Sequence, residues 1–197
     1  MISRVAPIAL LACLSGQLPA VEGSHPIKLV NSPAVSPDGK LVAFSWRGDI
    51  WTVPIEGGEA TPLTAHESSD SQPAFSPDGK QIAFVSSRSG SRQVYVMPVT
   101  GGEPKQLTFH TEGYSIEEWY PDGTQILTSA SRDHYWRHGD RFLTISATEP
   151  QSGESVLFDA YGDSATISPD GKSVLFMREG TRWWRKNYEG AQAGQIR

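Results

Sequence analysis

The chain has 197 residues, with 17 Lys and Arg against 22 Asp and Glu for a formal net charge of −5, and 19 Gly and 14 Pro to supply turns. That acidic balance argues against non-specific nucleic-acid binding, which needs dense positive charge, and the length holds one sizeable core or two small ones. The only cysteine is Cys13, inside an N-terminal apolar stretch; with that stretch removed, no thiol is left for a disulfide, a nucleophile or a metal.

Residues 1–23 read as a secretory signal peptide. Arg4 supplies the charge, residues 5–14 the apolar run, and Ala20 or Gly23 a small residue for cleavage. The run is far shorter than the ~18 residues of a membrane span. The protein is therefore expected to be exported, periplasmic or secreted, with no membrane span. Leu10-Leu11-Ala12-Cys13 also resembles a lipoprotein cleavage box, so a lipid anchor at Cys13 is the less favoured alternative.

Beyond residue 23 the chain repeats. Ser36-Pro37-Asp38-Gly39-Lys40, Ser76-Pro77-Asp78-Gly79-Lys80, Tyr120-Pro121-Asp122-Gly123-Thr124 and Ser168-Pro169-Asp170-Gly171-Lys172 are four copies of one turn, spaced by 40, 44 and 48 residues. Proline pre-sets φ at the first central position, aspartate suits the second, and glycine supplies a left-handed residue before the next strand. Aligned on their glycines, the copies continue with Val42-Ala43-Phe44, Ile82-Ala83-Phe84, Ile126-Leu127-Thr128 and Val174-Leu175-Phe176. Consecutive apolar residues signal a strand buried on both faces. A small two-sided sheet at this period predicts an all-β propeller of four-stranded blades.

In chain order, residues 26–30 are an orphan outer strand able to close a ring. Blades follow at about 33–64, 72–108, 116–158 and 165–197. The second strand of the first blade is predicted over 41–46 and the third over 49–55. The third strand of the second blade is predicted over 93–99. Glu56-Gly57-Gly58-Glu59 and the Gly101-Gly102 pair are hairpin turns. In the third blade 142–145 form the third strand and 156–158 close the blade; the fourth opens at 165–168. Ile196 aligns with Ile50, Val94 and Phe142, so the last blade is incomplete and its third strand stops after two residues. A strand cut there leaves backbone groups without partners. The chain is accordingly read as the N-terminal part of a longer protein. A four-bladed ring closed by 26–30 is the competing reading.

These repeats resemble the WD-like propellers of the TolB type, whose hallmark is the Ser-Pro-Asp-Gly-Lys turn followed by an apolar triplet. The segment from Arg178 to Ile196, with Arg182-Trp183-Trp184-Arg185-Lys186-Asn187-Tyr188 and Gly194-Gln195-Ile196, is similar to the propellers at the front of tricorn-type proteases. Those are large peptidases with a PDZ domain and a serine protease domain further along. The resemblance implies a non-catalytic, substrate-filtering or peptide-binding module of such a peptidase. The alternative is a stand-alone TolB-like periplasmic protein-interaction propeller. The catalytic serine of the family lies well after its propellers, so no catalytic residue is carried over.

The remaining motifs add little chemistry. There is no Gly-x-Ser-x-Gly elbow, phosphate loop or dinucleotide fingerprint, and no catalytic, cofactor or metal site is assigned. His134 and His138, with Asp133 and Asp140, suggest a metal site only superficially, because four-residue spacing shares a face in a helix and this stretch reads as a hairpin. It is taken as a polar loop, with metal or ligand contact as competing readings. Arg182, Trp183, Trp184, Arg185 and Tyr188 interleave aromatics with cations and are the candidate peptide or partner contacts, against packing between blades with the cations reaching water. Trp46, Trp51, Trp119 and Trp136 read as inter-blade filler. Asp38, Asp78, Asp122 and Asp170 read as backbone caps of their turns. The partner is a peptide or protein, not nucleic acid. The sequence does not set an oligomeric state.

Overall fold

The computed structural model describes residues 26–132, 140–150, 152–178 and 195–196. Among them there is no helix, and so none long and apolar enough to cross a membrane. Blade one is β1 (Asn31–Val35), β2 (Leu41–Trp46), β3 (Asp49–Pro54) and β4 (Thr61–Pro62), and blade two is β5 (Asp70–Phe75), β6 (Gln81–Ser86), β7 (Gln93–Pro98) and β8 (Lys105–Gln106). Each is an antiparallel sheet with its strands paired in chain order. The expected strand over 41–46 is met residue for residue. The third strands of blades one and two end one residue earlier than expected.

Blades three and four share one six-stranded sheet: β9 (Ser115–Trp119), β10 (Gln125–Ala130), β11 (Asp140–Ser146), β12 (Glu154–Ile167), β13 (Val174–Arg178) and β14 (Gln195–Ile196). Two strands were expected at 156–158 and 165–168. The 14-residue β12 covers the first and reaches Ile167 of the second. Its first part pairs with β11 and its last with β13, and Gly162 lies opposite Asp140 on one side and Arg178 on the other. Glycine is required there: a Cβ would stand 2.4 Å from the Met177 carbonyl oxygen and 2.8 Å from the Phe176 ring. Residues 26–30 form no strand.

The four turns are built alike. The amide of Gly39, Gly79, Gly123 or Gly171 donates to the carbonyl three residues back at 2.8–2.9 Å, with glycine φ between 69° and 71°. The aspartates are backbone caps: Oδ1 of Asp38, Asp78, Asp122 and Asp170 accepts the amide two residues on, at 3.1, 3.0, 2.9 and 3.1 Å. In three copies the turn serine donates to the same carboxylate at 2.6–2.7 Å. These bonds hold all four carboxyls below their ordinary value; the serine hydroxyl is the largest cause in those three, and the Thr124 amide in the fourth. The turns also stack. A Cβ at Gly79 would lie 3.6 Å from Pro37 Cδ, at Gly123 3.8 Å from Pro77, and at Gly171 3.7 Å from Pro121.

The two-sided strands divide their side chains between neighbours. Ile82, Phe84, Tyr95 and Met97 of blade two pack on Ala43, Ile50 and Leu41 of blade one. From its other face, Ala83, Val94 and Val96 meet Trp119, Ile126, Leu143 and Ile145 of blade three. Leu127 and Phe142 then meet Ile167 and Phe176 of blade four. Leu175, in the apolar triplet of β13, was expected to be buried. It is 53% exposed, because it lies on the side of blade four away from blade three.

Each inner strand carries a one-residue bulge at the same place, with Ser32-Pro33, Gln72-Pro73, Ile116-Glu117 and Ser164-Ala165 each opposite one residue of the next strand. Ser32, Gln72 and Ser164 have φ of 49°, 53° and 53°. The β-branched Ile116 does not, as that region is costly for it. The bulges bridge blade to blade: Gln72 Oε1 accepts from the Ile116 amide at 3.2 Å, and Glu117 Oε2 from the Ala165 amide at 3.0 Å. Trp119 Nε1 donates to the Ala74 carbonyl at 3.0 Å, so this tryptophan is inter-blade filler as expected. Trp46 and Trp51 instead pack edge to face at 5.4 Å on the side of blade one that no described blade covers. Trp136 lies outside the described residues.

Candidate functional site

The connections that lead from one blade to the next follow a shared plan. Leu63-Thr64-Ala65-His66 and Leu107-Thr108-Phe109-His110 occupy the same place in blades one and two. Thr64 Oγ1 accepts the Ile50 amide at 2.9 Å, and Thr108 Oγ1 the Val94 amide at 2.8 Å. The imidazoles of His66 and His110 each accept, at Nδ1, the amide two residues on, at 3.0 and 3.1 Å. A neutral ring accepting at Nδ1 carries its proton on Nε2. In blade two the arrangement is tightened by Gln93, whose Oε1 accepts from Thr108 Oγ1 at 2.7 Å and whose Nε2 donates to the His110 carbonyl at 2.6 Å.

After each connection the chain enters the inner strand of the next blade, and there the two junctions differ. At the first junction the side chain of Asp70 is fully buried and takes Arg88 Nη2 on Oδ2 at 2.9 Å. Arg88 is held over the rings of Phe84 and Tyr95, at 5.5 and 5.0 Å, and its Nε donates to Ser86 Oγ at 2.9 Å. Asp70 Oδ1 has no partner. At the second junction Tyr114 replaces Asp70 and Arg132 replaces Arg88. Arg132 lies 4.8 Å above the Tyr114 ring and forks onto Glu154, Nε to Oε1 at 3.0 Å and Nη2 to Oε2 at 2.8 Å. The Tyr114 hydroxyl donates to the same Oε2.

The charges of this group are mutually satisfied. Arg132's hydrogen bonds, reinforced by Tyr114, hold the Glu154 carboxyl below its ordinary range against the opposing effect of burial. Burial, then the Glu154 carboxylate, pushes the Tyr114 phenol above its ordinary value. Burial works against the Arg132 cation, but its pairing with Glu154 outweighs that and raises its pKa.

Beside this group lies an open cleft of about 270 Å³, lined by Leu107, Thr108, Phe109, His110, Tyr114, Ile145, Gly153 and Glu154. Its walls belong to blades two and three. Leu107 and Ile145 are buried, whereas Phe109 is 56% exposed. Among the described residues, no group of three or more His, Cys, Asp or Glu is placed to hold a metal.

The candidate contacts Arg182, Trp183, Trp184, Arg185 and Tyr188 lie outside the described residues, as do His134, His138, Cys13 and the predicted signal peptide. Sequence reasoning missed Phe109, His110, Tyr114, Arg132 and Glu154. For the histidines a signal existed, since continuing the Leu63-Thr64 and Leu107-Thr108 alignment by two residues superposes His66 on His110. Arg88 and Arg132 likewise both stand nine residues after a turn glycine. Glu154 carries no such signal, because it opens β12 just after the hairpin loop whose length breaks the repeat.

Residues 27–197 match the family model of the tricorn protease N-terminal β-propeller domain. Solved structures with the same fold include a protein described as TolB from Agrobacterium tumefaciens, 23% identical at a TM-score of 0.66 over 76% of this chain and 54% of that one. TolB from Acinetobacter baumannii is 23% identical at 0.58, over 76% and 38%, and the tricorn protease 18% identical at 0.65, over 85% and 17%. The chain thus spans about half, or less, of the length of each. No curated protein matches it.

Proposed function

This chain belongs to the family of tricorn protease N-terminal β-propeller domains, and on that premise we propose that it is a non-catalytic, peptide-binding module of an exported, tricorn-like peptidase. In this reading the propeller filters or guides peptide substrates towards a serine protease centre elsewhere in the protein. The family match is the observation that carries it. The cleft between blades two and three, with Phe109 at its mouth, supplies a surface of suitable character. Arg182, Trp183, Trp184, Arg185 and Tyr188 are proposed as further peptide contacts. A second reading, a stand-alone periplasmic propeller that binds a partner protein, is favoured by the fold likeness to TolB. Fold alone does not choose between them.

Two measurements test the proposal. Intact mass spectrometry of the native product in the exported fraction should find a species several times heavier than 197 residues account for. A species slightly lighter than the whole chain would remove the peptidase reading and leave the second. Fluorescence anisotropy with unstructured labelled peptides should show saturable binding to the purified chain, and its absence would overturn the peptide-binding role.

A further inference from the structure

We propose that the cleft between blades two and three is a subsite for one apolar side chain of an extended peptide, with Phe109 as its outer wall and His110 as a hydrogen-bond donor to the peptide main chain. This inference rests on the peptide-binding reading above and names the site and the side-chain class that such a peptide presents.

The size and lining of the cleft set the occupant. About 270 Å³ lies just below the roughly 300–1,000 Å³ of sites that enclose a drug-sized ligand. It suits a single side chain. Phe109 provides the exposed apolar surface, beside the nearly buried Leu107 and Ile145. The charged groups of the wall are already committed to one another, with both Glu154 oxygens taken up by the Arg132 fork and the Tyr114 hydroxyl on one of them. A charged side chain entering this open cleft gives up part of its water and gains no free counter-charge, which is unfavourable. An apolar one loses nothing.

The rim adds a polar contact. With Nδ1 of His110 occupied by the Glu112 amide at 3.1 Å, the ring's donor is Nε2–H. A main-chain carbonyl of an extended peptide is the acceptor it can use whatever the peptide's sequence.

The preceding junction serves as an internal comparison. There Ala65 stands where Phe109 stands, and Asp70 where Tyr114 stands. Arg88 is drawn in against Phe84, Tyr95 and Asp70. The outer wall is missing and the tyrosine wall is replaced by a buried ion pair. The subsite is a departure from the repeat and not a consequence of it.

The test uses the full chain and fluorescein-labelled hexapeptides that differ at one central position, leucine, phenylalanine, serine or lysine. The leucine and phenylalanine peptides should bind about tenfold more tightly than the other two, the effect of burying part of one apolar side chain. Phe109→Ala should abolish that preference. Ile55→Ala, at an exposed residue of the first blade's hairpin, should leave it intact. With the unaltered protein, the phenylalanine peptide should shift the amide resonances of His110 and Gly153 but not that of His66. Binding that ignores the central residue, or that survives Phe109→Ala with its preference unchanged, overturns the subsite and leaves the module reading standing. No binding by any of the four peptides overturns both.

Discussion

Asp70 and Tyr114 hold the same place in successive blades, and each is met by the arginine nine residues past its own blade's turn glycine. One position therefore supports two solutions to the same problem, a cation reaching back into the junction it helps to close. Asp70 neutralises Arg88 directly. Tyr114 offers Arg132 a ring face and leaves neutralisation to Glu154.

The two solutions should differ in their sensitivity to truncation. Asp70→Ala strands Arg88, whose side chain is only 16% exposed, and should destabilise the fold by about 3–5 kcal/mol. Glu154→Gln, at a partner that is 26% exposed and keeps one acceptor, should cost about 1–3 kcal/mol. Urea unfolding of the two variants, compared by midpoint at unchanged slope, checks the order.

The stacked turns separate two effects of a side chain at a left-handed position. Gly39→Ala and Gly79→Ala impose the same backbone strain, at φ of 70° and 69°, worth roughly 1–2 kcal/mol each. Only the second brings its new methyl within 3.6 Å of a neighbouring turn, at Pro37. That is ordinary contact distance, so the two should melt within a degree or so of one another. A markedly lower melting temperature for Gly79→Ala would show that the turns pack too tightly to accept a methyl.

Acid should loosen the turns and the second junction together. Asp38, Asp78, Asp122, Asp170 and Glu154 all have carboxyls lowered in the folded chain. Their contribution is therefore present above the ordinary values, 3.8 for Asp and 4.5 for Glu, and is lost as pH falls through the lower folded values. Thermal melts should be level from pH 7 to pH 6 on this account and should fall steadily below about pH 4.

Tyr114 works in the opposite direction. Its phenol is raised in the folded chain, so its contribution is complete below the ordinary value of 10.0 and is lost as pH rises from there towards the folded value. Tyr114→Phe should be less stable at pH 7 by about 1 kcal/mol, through loss of the hydrogen bond to Glu154. It should also lose less stability than the unaltered chain between pH 9 and pH 11.

The bulge-to-bulge bridges predict a further effect. Gln72→Leu removes the acceptor of the Ile116 amide, in the neighbouring blade, and should cost about 1–2 kcal/mol. Hydrogen exchange should quicken first at Ile116.

Much of the fold was legible because the repeat encodes it redundantly. Pro37, Pro77, Pro121 and Pro169 announce the turns, and the triplets after them announce strands with two buried faces. The site was less legible because it is made where the repeat is broken. Phe109 for Ala65 and Tyr114 for Asp70 are two of several differences between segments that share only Leu, Thr, His and Ser in register, and their meaning depends on Arg132 and Glu154, which arrive from other parts of the chain. The bulges carried no sign either. Gln72 and Ser164 take a positive φ without being glycine, and the bonds made at their bulges, Gln72 with the Ile116 amide and Ala165 with the Glu117 carboxylate, join residues distant in sequence. The fusion of 156–158 with 165–167 into β12 was not legible because the intervening 159–164 stretch reads as turn-forming, while Tyr161 and Gly162 pair with β11 and Gly162 and Asp163 with β13.

That shared strand gives the array unequal joints. Blades one and two, and blades two and three, are coupled through connecting segments, 63–69 and 107–114, which can absorb a change of angle by rotating a few backbone dihedrals. Between blades three and four the coupling is a continuous strand whose backbone is tied into both, with Gly162 opposite Asp140 and Arg178. A displacement imposed on blade four meets no separate connecting loop at this joint and should be carried through β12, yielding first at its register breaks, 157–160 and 164–165. Blades three and four should move as one lever arm, and any change of curvature in the array should appear first on either side of blade two, where the cleft beside Tyr114 would open or narrow with it.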